Sequence, residues 1–158
     1  MKTLFLVRHA QASWEAPSDF ERPLHPHGHR EAEIMAARLK EKECKVNHIL
    51  CSSALRTTET SEYLIKGLNF SFSKIQFEKD LYLPTPKKIK SFIESTSKEV
   101  DSLMLIAHNP GVSQVIQELA GEYIGAVLPC TIVRFEIDID DWSHLDPALV
   151  NSFSLDAP

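Results

Sequence analysis

A chain of 158 residues, 43% hydrophobic and 25% charged, has the size and composition of one compact domain, so we expect a single domain over residues 1–158. Its formal net charge of -5 argues against a general nucleic-acid-binding protein, which usually carries a basic face, but it is compatible with a local basic pocket. The apolar stretch before Arg8 is too short for a signal-peptide core and no apolar run approaches the length of a membrane span, so we expect a cytoplasmic protein with no membrane partner.

Strand-like runs alternate along the chain with segments of helical spacing. The predicted strands are Thr3 to Val7, His48 to Cys51, Ile75 to Phe77, Leu103 to Ala107 and Ile132 to Ile137. The predicted helices carry the apolar stripe Ala32, Met35, Ala36 and Leu39, run from Ala54 to about Ile65 and from Lys87 to Glu94, and carry the stripe Val112, Val115, Ile116 and Leu119. This alternation predicts an α/β fold with a mostly parallel central sheet flanked by helices. The tail after Asp138 has no clear period and is expected either to add an edge strand or to lie across the sheet.

The first predicted strand ends in Arg8-His9-Ala10-Gln11. Ligands of open α/β sheets bind at the carboxyl ends of the strands, where a cation and an imidazole would meet an anion such as phosphate. A strand that simply emerges into water explains the pair equally well when it is taken alone. The long polar connection from Gln11 to Gly28 is expected to line the rim of any site there.

The second strand is followed by Ser53, which we predict as the N-cap of the next helix, so that Arg56 falls in its first turn. The helix dipole disfavours a cation there, unless Arg56 and the free backbone N–H groups face an anion together. Thr60 lies one turn further along the same face. An exposed arginine that extends into water is the alternative.

The fourth strand ends at His108, and Asn109, Pro110 and Gly111 then open a helix, with Asn109 as a cap residue and Pro110 in the first turn. Three strand ends of a parallel sheet would therefore bring Arg8 with His9, Arg56 and His108 to one edge. Two guanidinium groups there can bind phosphoryl oxygens, one imidazole can attack phosphorus, and the other can donate a hydrogen bond to the developing charge. This set predicts phosphoryl transfer without a cofactor, with His9 as the nucleophile because it directly follows a central strand.

These motifs resemble the histidine phosphatase, or phosphoglycerate mutase-like, superfamily. The resemblance is carried by Leu6 to Ala10, by Ser52 to Arg56 with Thr60, and by Ala107 to Pro110. The short chain, the Arg-His-Ala variant of the family's Arg-His-Gly and the segment Asp19 to Leu24 are most similar to the SixA-type phosphohistidine phosphatases. The resemblance implies a three-layer sandwich, a phosphohistidine intermediate on His9, a phosphate pocket formed by Arg8, Arg56 and His108, and a contribution from Arg22 at the rim.

One departure concerns the proton donor, which larger members carry in an insertion after the second helix. Here only a short stretch, Lys66 to Ser73, separates that helix from the third strand, so no lid is expected. Asp80 follows the third strand and is a candidate acid, although a surface position in a turn explains it better. A site without a strong acid suits a leaving group that departs easily, such as the imidazole of phosphohistidine, and an open site admits a protein side chain.

Three functions stay open at this point. The preferred one is a phosphatase acting on a phosphohistidine-bearing phosphorelay or phosphocarrier protein. The second is a phosphatase of small phosphorylated molecules, and the third is a module that binds phosphohistidine without hydrolysing it.

No metal site is expected from the remaining histidines and cysteines. His25, His27 and His29 alternate, but Pro26 and Gly28 interrupt any regular geometry, so a solvated rim is the preferred interpretation. Cys44, Cys51 and Cys130 are odd in number and widely spaced, which indicates reduced thiols rather than disulfides. Cys51 is expected to be a packing residue and not a nucleophile.

Overall fold

A computed structural model describes all residues from Met1 to Pro158. Six strands and four α-helices alternate along most of the chain. Their bounds are β1 Lys2–Arg8, α1 Pro26–Glu41, β2 His48–Ser52, α2 Leu55–Leu68, β3 Gln76–Glu78, α3 Pro86–Glu94, β4 Ser102–Ala107, α4 Gly111–Ala120, β5 Ile132–Ile137 and β6 Val150–Asp156. All the strands and helices predicted from the sequence are present, within a few residues of the expected bounds.

The strands form one six-stranded sheet in the order β3-β2-β4-β1-β5-β6. The pairs β2–β3, β2–β4 and β1–β4 are parallel, which confirms the mostly parallel sheet, while β5 and β6 add antiparallel pairs at one side. The tail after Asp138 contains two short 3-10 turns and then the edge strand β6, which is one of the two arrangements expected for it. Because β1, β2 and β4 run the same way, their carboxyl ends meet at one edge of the sheet.

Helices cover both faces of this sheet, as a three-layer α/β sandwich requires. On one face, α1 and α2 pack through residues such as Met35 and Leu64 against Phe5 and Ile106. On the other, α3 and α4 pack through residues such as Ile89 and Val115. None of the helices combines the length and the apolar character that a membrane crossing demands.

Two helix starts differ from the prediction. The cap position of α2 is Ala54 rather than Ser53, and Ala54 makes no side-chain capping bond. The hydroxyl of Thr57 instead donates to the Ser52 and Ala54 carbonyls within the turn. The helix α4 begins at Gly111, so Pro110 precedes it, although the Asn109 Oδ1 still accepts from the Ser113 N–H at 3.0 Å as a capping side chain would.

Candidate active site

A cavity of about 380 Å³ opens at the carboxyl edge of the sheet. Its lining includes the five residues that the sequence singled out for phosphate chemistry, namely Arg8, His9, Arg22, Arg56 and His108. Asp80 is not among the lining residues and lies exposed in a short 3-10 turn. The structure therefore brings together the residues from three strand ends and leaves the candidate acid outside.

The backbone around His9 is fixed by close contacts with two helices. The Ala10 N–H donates to the Thr60 hydroxyl on α2 at 3.0 Å. On the α1 side, a Cβ added to Gly28 would lie 2.0 Å from the Gln11 carbonyl oxygen, so glycine is required for this approach. These contacts with α1 and α2 hold the segment that follows β1 in a fixed position.

One ring nitrogen of His9 is already engaged. Its Nδ1 lies 2.6 Å from the Ala10 carbonyl oxygen, which can only accept, so Nδ1 carries the proton. The lone pair of Nε2 is then free, and this is the tautomer that a nucleophilic imidazole needs.

The second imidazole, His108, is buried with 1% of its surface exposed, and it lies beside His9 with 5.2 Å between the ring centroids. Its Nε2 is 2.7 Å from the Ser52 hydroxyl oxygen, while its Nδ1 is buried without a hydrogen-bond partner. The Ala54 N–H donates to the same hydroxyl oxygen, and the Ser52 hydroxyl can in turn donate its proton to His108 Nε2. His108 would then carry its own proton on Nδ1, where it is free to donate.

Arg8 and Arg56 are each held in place through Nη1, whereas the Nε of each has no hydrogen-bond partner. Arg8 donates from Nη1 to the Val127 carbonyl oxygen at 2.8 Å, and Arg56 donates from Nη1 to the Asp19 carbonyl oxygen at 2.6 Å. The Nε of each arginine is buried and has no partner. Arg56 is 2% exposed, so it is not the solvated arginine that the sequence left as an alternative. Buried unpaired donors are costly, and an anion bound between them would satisfy both.

The loop between β1 and α1 contributes the rim, as expected. Arg22 donates from Nε to the Ser13 carbonyl oxygen and lies 3.6 Å above the Trp14 ring centroid, an arrangement that fixes its guanidinium over the cavity mouth. Trp14 is otherwise exposed.

Three further residues contact the site, although the sequence analysis gave them no role. Asp19 pairs with Arg56 and Arg22, Tyr82 donates its hydroxyl to Asp19, and Ser52 contacts His108. Asp19 and Ser52 lie in the motifs that carried the family resemblance, so the presence of a polar residue in each motif could have identified them as site residues. Tyr82 follows a short edge strand, and no local pattern points to it.

His25 is the N-cap of α1 and His27 and His29 lie in its first turn, and the three side chains do not form one cluster. His25 Nδ1 accepts from the His27 N–H, and His29 Nδ1 lies 2.9 Å from the Tyr63 hydroxyl, on the side of α2. No group of three or more His, Cys, Asp or Glu side chains in the structure could hold a metal ion. Cys51 is fully buried, and burial raises the pKa of its thiol, so it is not an activated nucleophile.

Burial lowers the pKa of both site imidazoles, and this predicts a pH-dependent stability. The pKa of His9 falls from 6.5 to about 4 and that of His108 to about 3, chiefly because burial penalises the charged ring, with nearby cations adding to the effect. The unfolded chain takes up these protons near the ordinary value of 6.5, whereas the folded chain resists them until far lower pH. The free energy of unfolding is therefore expected to fall as the pH drops from 6.5 through about 4.

Urea unfolding across that interval measures this slope. The His108→Gln variant has one fewer depressed imidazole and is expected to lose stability less steeply on acidification. Equal slopes for the two proteins would contradict the assignment of neutral, buried imidazoles.

The arrangement can perform in-line phosphoryl transfer. A neutral imidazole nitrogen, two anchored arginines with unpaired buried donors and a second imidazole with an unpaired Nδ1 line one cavity. These are the groups needed to bind a tetrahedral phosphoryl dianion and to attack it.

Several known proteins are similar to this chain in sequence and in fold. The family model of the histidine phosphatase superfamily (branch 1) matches residues 4–82, which is half of the chain. The phosphohistidine phosphatase SixA of Escherichia coli (strain K12) is 29% identical over 117 residues, 73% of this chain and 73% of that protein. The mitochondrial serine/threonine-protein phosphatase PGAM5 of Xenopus tropicalis is 38% identical over 65 residues, 41% of this chain and 23% of that protein. A solved structure of the protein histidine phosphatase SixA complexed with tungstate has a TM-score of 0.78 at 28% identity and covers 86% of this chain and 88% of that one.

Proposed function

Because this chain belongs to the histidine phosphatase superfamily (branch 1), we propose that it is a phosphatase that hydrolyses phosphohistidine on a protein, through a phosphohistidine intermediate of its own. The proposed partner is a phosphorelay or phosphocarrier protein. No cofactor enters the proposed reaction. The kinship with SixA supports the substrate class, since that relative is a phosphohistidine phosphatase and one SixA structure holds tungstate, a tetrahedral oxyanion like phosphate.

The observation that carries the proposal is the free Nε2 of His9 beside two arginines with buried, unpaired Nε groups. In the proposed first step, Nε2 forms a bond to phosphorus as the P–N bond to the substrate imidazole breaks, and that imidazole leaves with the bonding electron pair. The proton of His9 stays on Nδ1 and is donated to the Ala10 carbonyl oxygen, which stabilises the positive charge that the ring acquires. Water then attacks the phosphorus of the intermediate, which releases phosphate and regenerates His9.

The other site groups act on the phosphoryl oxygens. Arg8 and Arg56 bind them through Nε, and His108 donates from Nδ1 to the charge that develops in the transition state. Their positions around one cavity support these roles.

The protonation state of the carboxylate in the cavity favours a substrate whose leaving group departs without being protonated by the enzyme. Asp19 is its one lining carboxylate, and hydrogen bonds, above all from the Tyr82 hydroxyl, lower its pKa to about 2. At neutral pH it carries no proton to give. An alkoxide leaving group needs such a proton, whereas an imidazole that is protonated on its far nitrogen leaves as a neutral ring.

Phosphomonoesters are the second candidate substrates. The local similarity to the serine/threonine-protein phosphatase PGAM5, over 65 residues and 23% of that longer protein, favours them, because that relative is a phosphatase of serine and threonine side chains. The same phosphoryl pocket would serve either substrate, so the leaving group decides between them.

Parallel turnover assays test the proposal. Purified protein is offered a histidine-phosphorylated carrier protein, phosphoimidazole and a panel of alkyl phosphates that includes a phosphoserine peptide. We expect kcat/KM for the P–N substrates to exceed that for the best alkyl phosphate by at least about tenfold, equivalent to 1.4 kcal/mol in transition-state binding.

Two outcomes would overturn this proposal. A tenfold preference for an alkyl phosphate would assign the protein to phosphomonoesters. Tight binding of the phosphorylated carrier with no release of phosphate would assign it to the class of phosphohistidine-binding modules.

A further inference from the structure

We propose that Asp19 and Tyr82 form a positioning pair, in which Tyr82 holds Asp19 and Asp19 holds the arginines of the pocket in place before a phosphoryl group arrives. The proposal rests on the proposed function, because it assumes that Arg56 and Arg22 bind phosphoryl oxygens. Asp19 reaches both of them: its Oδ2 lies 3.0 Å from Arg56 Nη2 and its Oδ1 lies 3.1 Å from Arg22 Nη1.

The contacts on Arg56 show how a carboxylate can lie in a phosphate pocket without blocking it. A guanidinium group offers one pair of donors at its end, Nη1 and Nη2, and another at its side, Nε and Nη2. Asp19 takes the end pair, through its carbonyl oxygen and its carboxylate. The Nε group is buried and unpaired and stays free for phosphate, and Nη2 carries a second N–H that can join it.

Arg8, which lines the same cavity, is held in a similar way. Its Nη1 is bound to the Val127 carbonyl oxygen and its buried Nε is free. Arg8 is therefore anchored by backbone alone, whereas Arg56 depends on Asp19, which belongs to a loop without regular structure. The side chain of Asp19 is 43% exposed, so its position needs a further support.

Tyr82 supplies that support and joins it to the buried part of the site. Its hydroxyl donates to Asp19 Oδ2. Its ring lies edge-on to His108, with 5.5 Å between centroids, and edge-on to Phe20 of the Asp19 loop at 5.0 Å. One side chain thus fixes the loop carboxylate relative to the second imidazole.

The protonation states fit a positioning role and not an acid–base role. The hydrogen bond from Tyr82 is the largest cause of the low pKa of Asp19, and the same bond raises the pKa of the Tyr82 phenol. The carboxylate stays ionised and the phenol stays protonated, so neither group exchanges a proton with substrate at neutral pH.

The Tyr82→Phe variant tests the pair, since it removes the hydroxyl and keeps the ring against His108 and Phe20. We expect the Kd for inorganic phosphate, measured by calorimetry, and the KM for phosphoimidazole to rise together by about 2- to 10-fold, the effect of one lost hydrogen bond. The value of kcat should stay within about twofold, because ground state and transition state use the same arginine donors. Tyr63→Phe is the matched control, because its hydroxyl bonds His29 outside the cavity, and it should leave Kd and KM unchanged.

A double-mutant cycle separates positioning from a general loss of packing. In an Asp19→Ala background the Tyr82 hydroxyl has no side-chain acceptor at position 19, so adding Tyr82→Phe should cost nothing more. The idea is overturned if Tyr82→Phe has the same effect in both backgrounds, or none in the wild type. If the wild-type protein neither binds inorganic phosphate nor hydrolyses phosphoimidazole, the proposed function itself is wrong, and the positioning role of the pair is rejected with it.

Discussion

Replacing His9 with alanine is expected to lower the turnover of phosphoimidazole by at least about 10⁴-fold, because the variant lacks the only atom proposed to bond phosphorus. No other imidazole can take over. His108 is tied by Nε2 to Ser52 and is 1% exposed, and the remaining histidines lie outside the cavity lining. Rapid mixing of wild-type protein with phosphoimidazole, quenched in alkali, should show one added phosphoryl group on His9 by mass spectrometry, and His9→Ala should show none.

The variant also isolates chemistry from binding. Both arginines keep their anchors in His9→Ala, so inorganic phosphate should still bind within about tenfold of the wild-type Kd. His48→Ala is the control, since His48 bonds Gln76 outside the cavity and its loss should leave labelling intact. Undiminished hydrolysis by His9→Ala would refute the covalent route.

The residues that the sequence located best are those that directly follow a strand. Arg8, His9 and His108 each come after a short apolar run whose end can be read locally, and the parallel direction of β1 and β4 then places them together. Arg56 could be located for a similar reason, because it falls in the first turn after β2. A strand and its end are local properties of the chain, so hydrophobic patterning is enough to predict them.

Asp19 and Tyr82 depend on the path of loops, which no local pattern specifies. Asp19 is 37 residues from Arg56 and 63 residues from Tyr82 along the chain. Their meeting requires the loop after β1 to cross the cavity mouth and the short strand β3 to end beside it. The sequence left the edge strand β6 as one of two alternatives for the tail for a related reason, since most of its side chains are exposed and leave little apolar alternation to detect.

Asp80 shows why a position after a parallel strand does not by itself locate a site residue, and its surface position agrees with the preferred interpretation from the sequence. It follows β3, one of the parallel strands, and so met the criterion that located His9. The strand β3 is at the sheet edge and only three residues long, however, and the chain turns away so that Asp80 faces solvent while Tyr82 approaches the site. The carboxylate in the cavity comes instead from the first loop.

Arg56 is expected to be the most important single cation for turnover, and its replacement gives the second large effect. Arg56→Gln should lower kcat/KM for phosphoimidazole by about 10³-fold. This is the upper end of the range expected when one preorganised hydrogen-bond donor is lost, because the change removes a buried positive charge together with the paired N–H donors of the guanidinium. Arg56→Lys should lower it by about 10²-fold, since an ammonium keeps the charge but cannot present two donors in a fixed plane. The ordering of the two variants distinguishes the geometry of the fork from its charge.

The fold should survive both changes, so the loss can be assigned to the site. Asp19 loses one partner but keeps Arg22 and the Tyr82 hydroxyl, and its side chain is 43% exposed, so its carboxylate is not left buried and unpaired. Arg38→Lys is the matched control: Arg38 pairs with Asp156 at 2.6 Å, outside the cavity, and the same conservative change there should leave kcat/KM unaltered. If Arg56→Lys retained full activity, a point charge would suffice at this position, and the side fork of Arg56 could not be what orients the phosphoryl group for attack by His9.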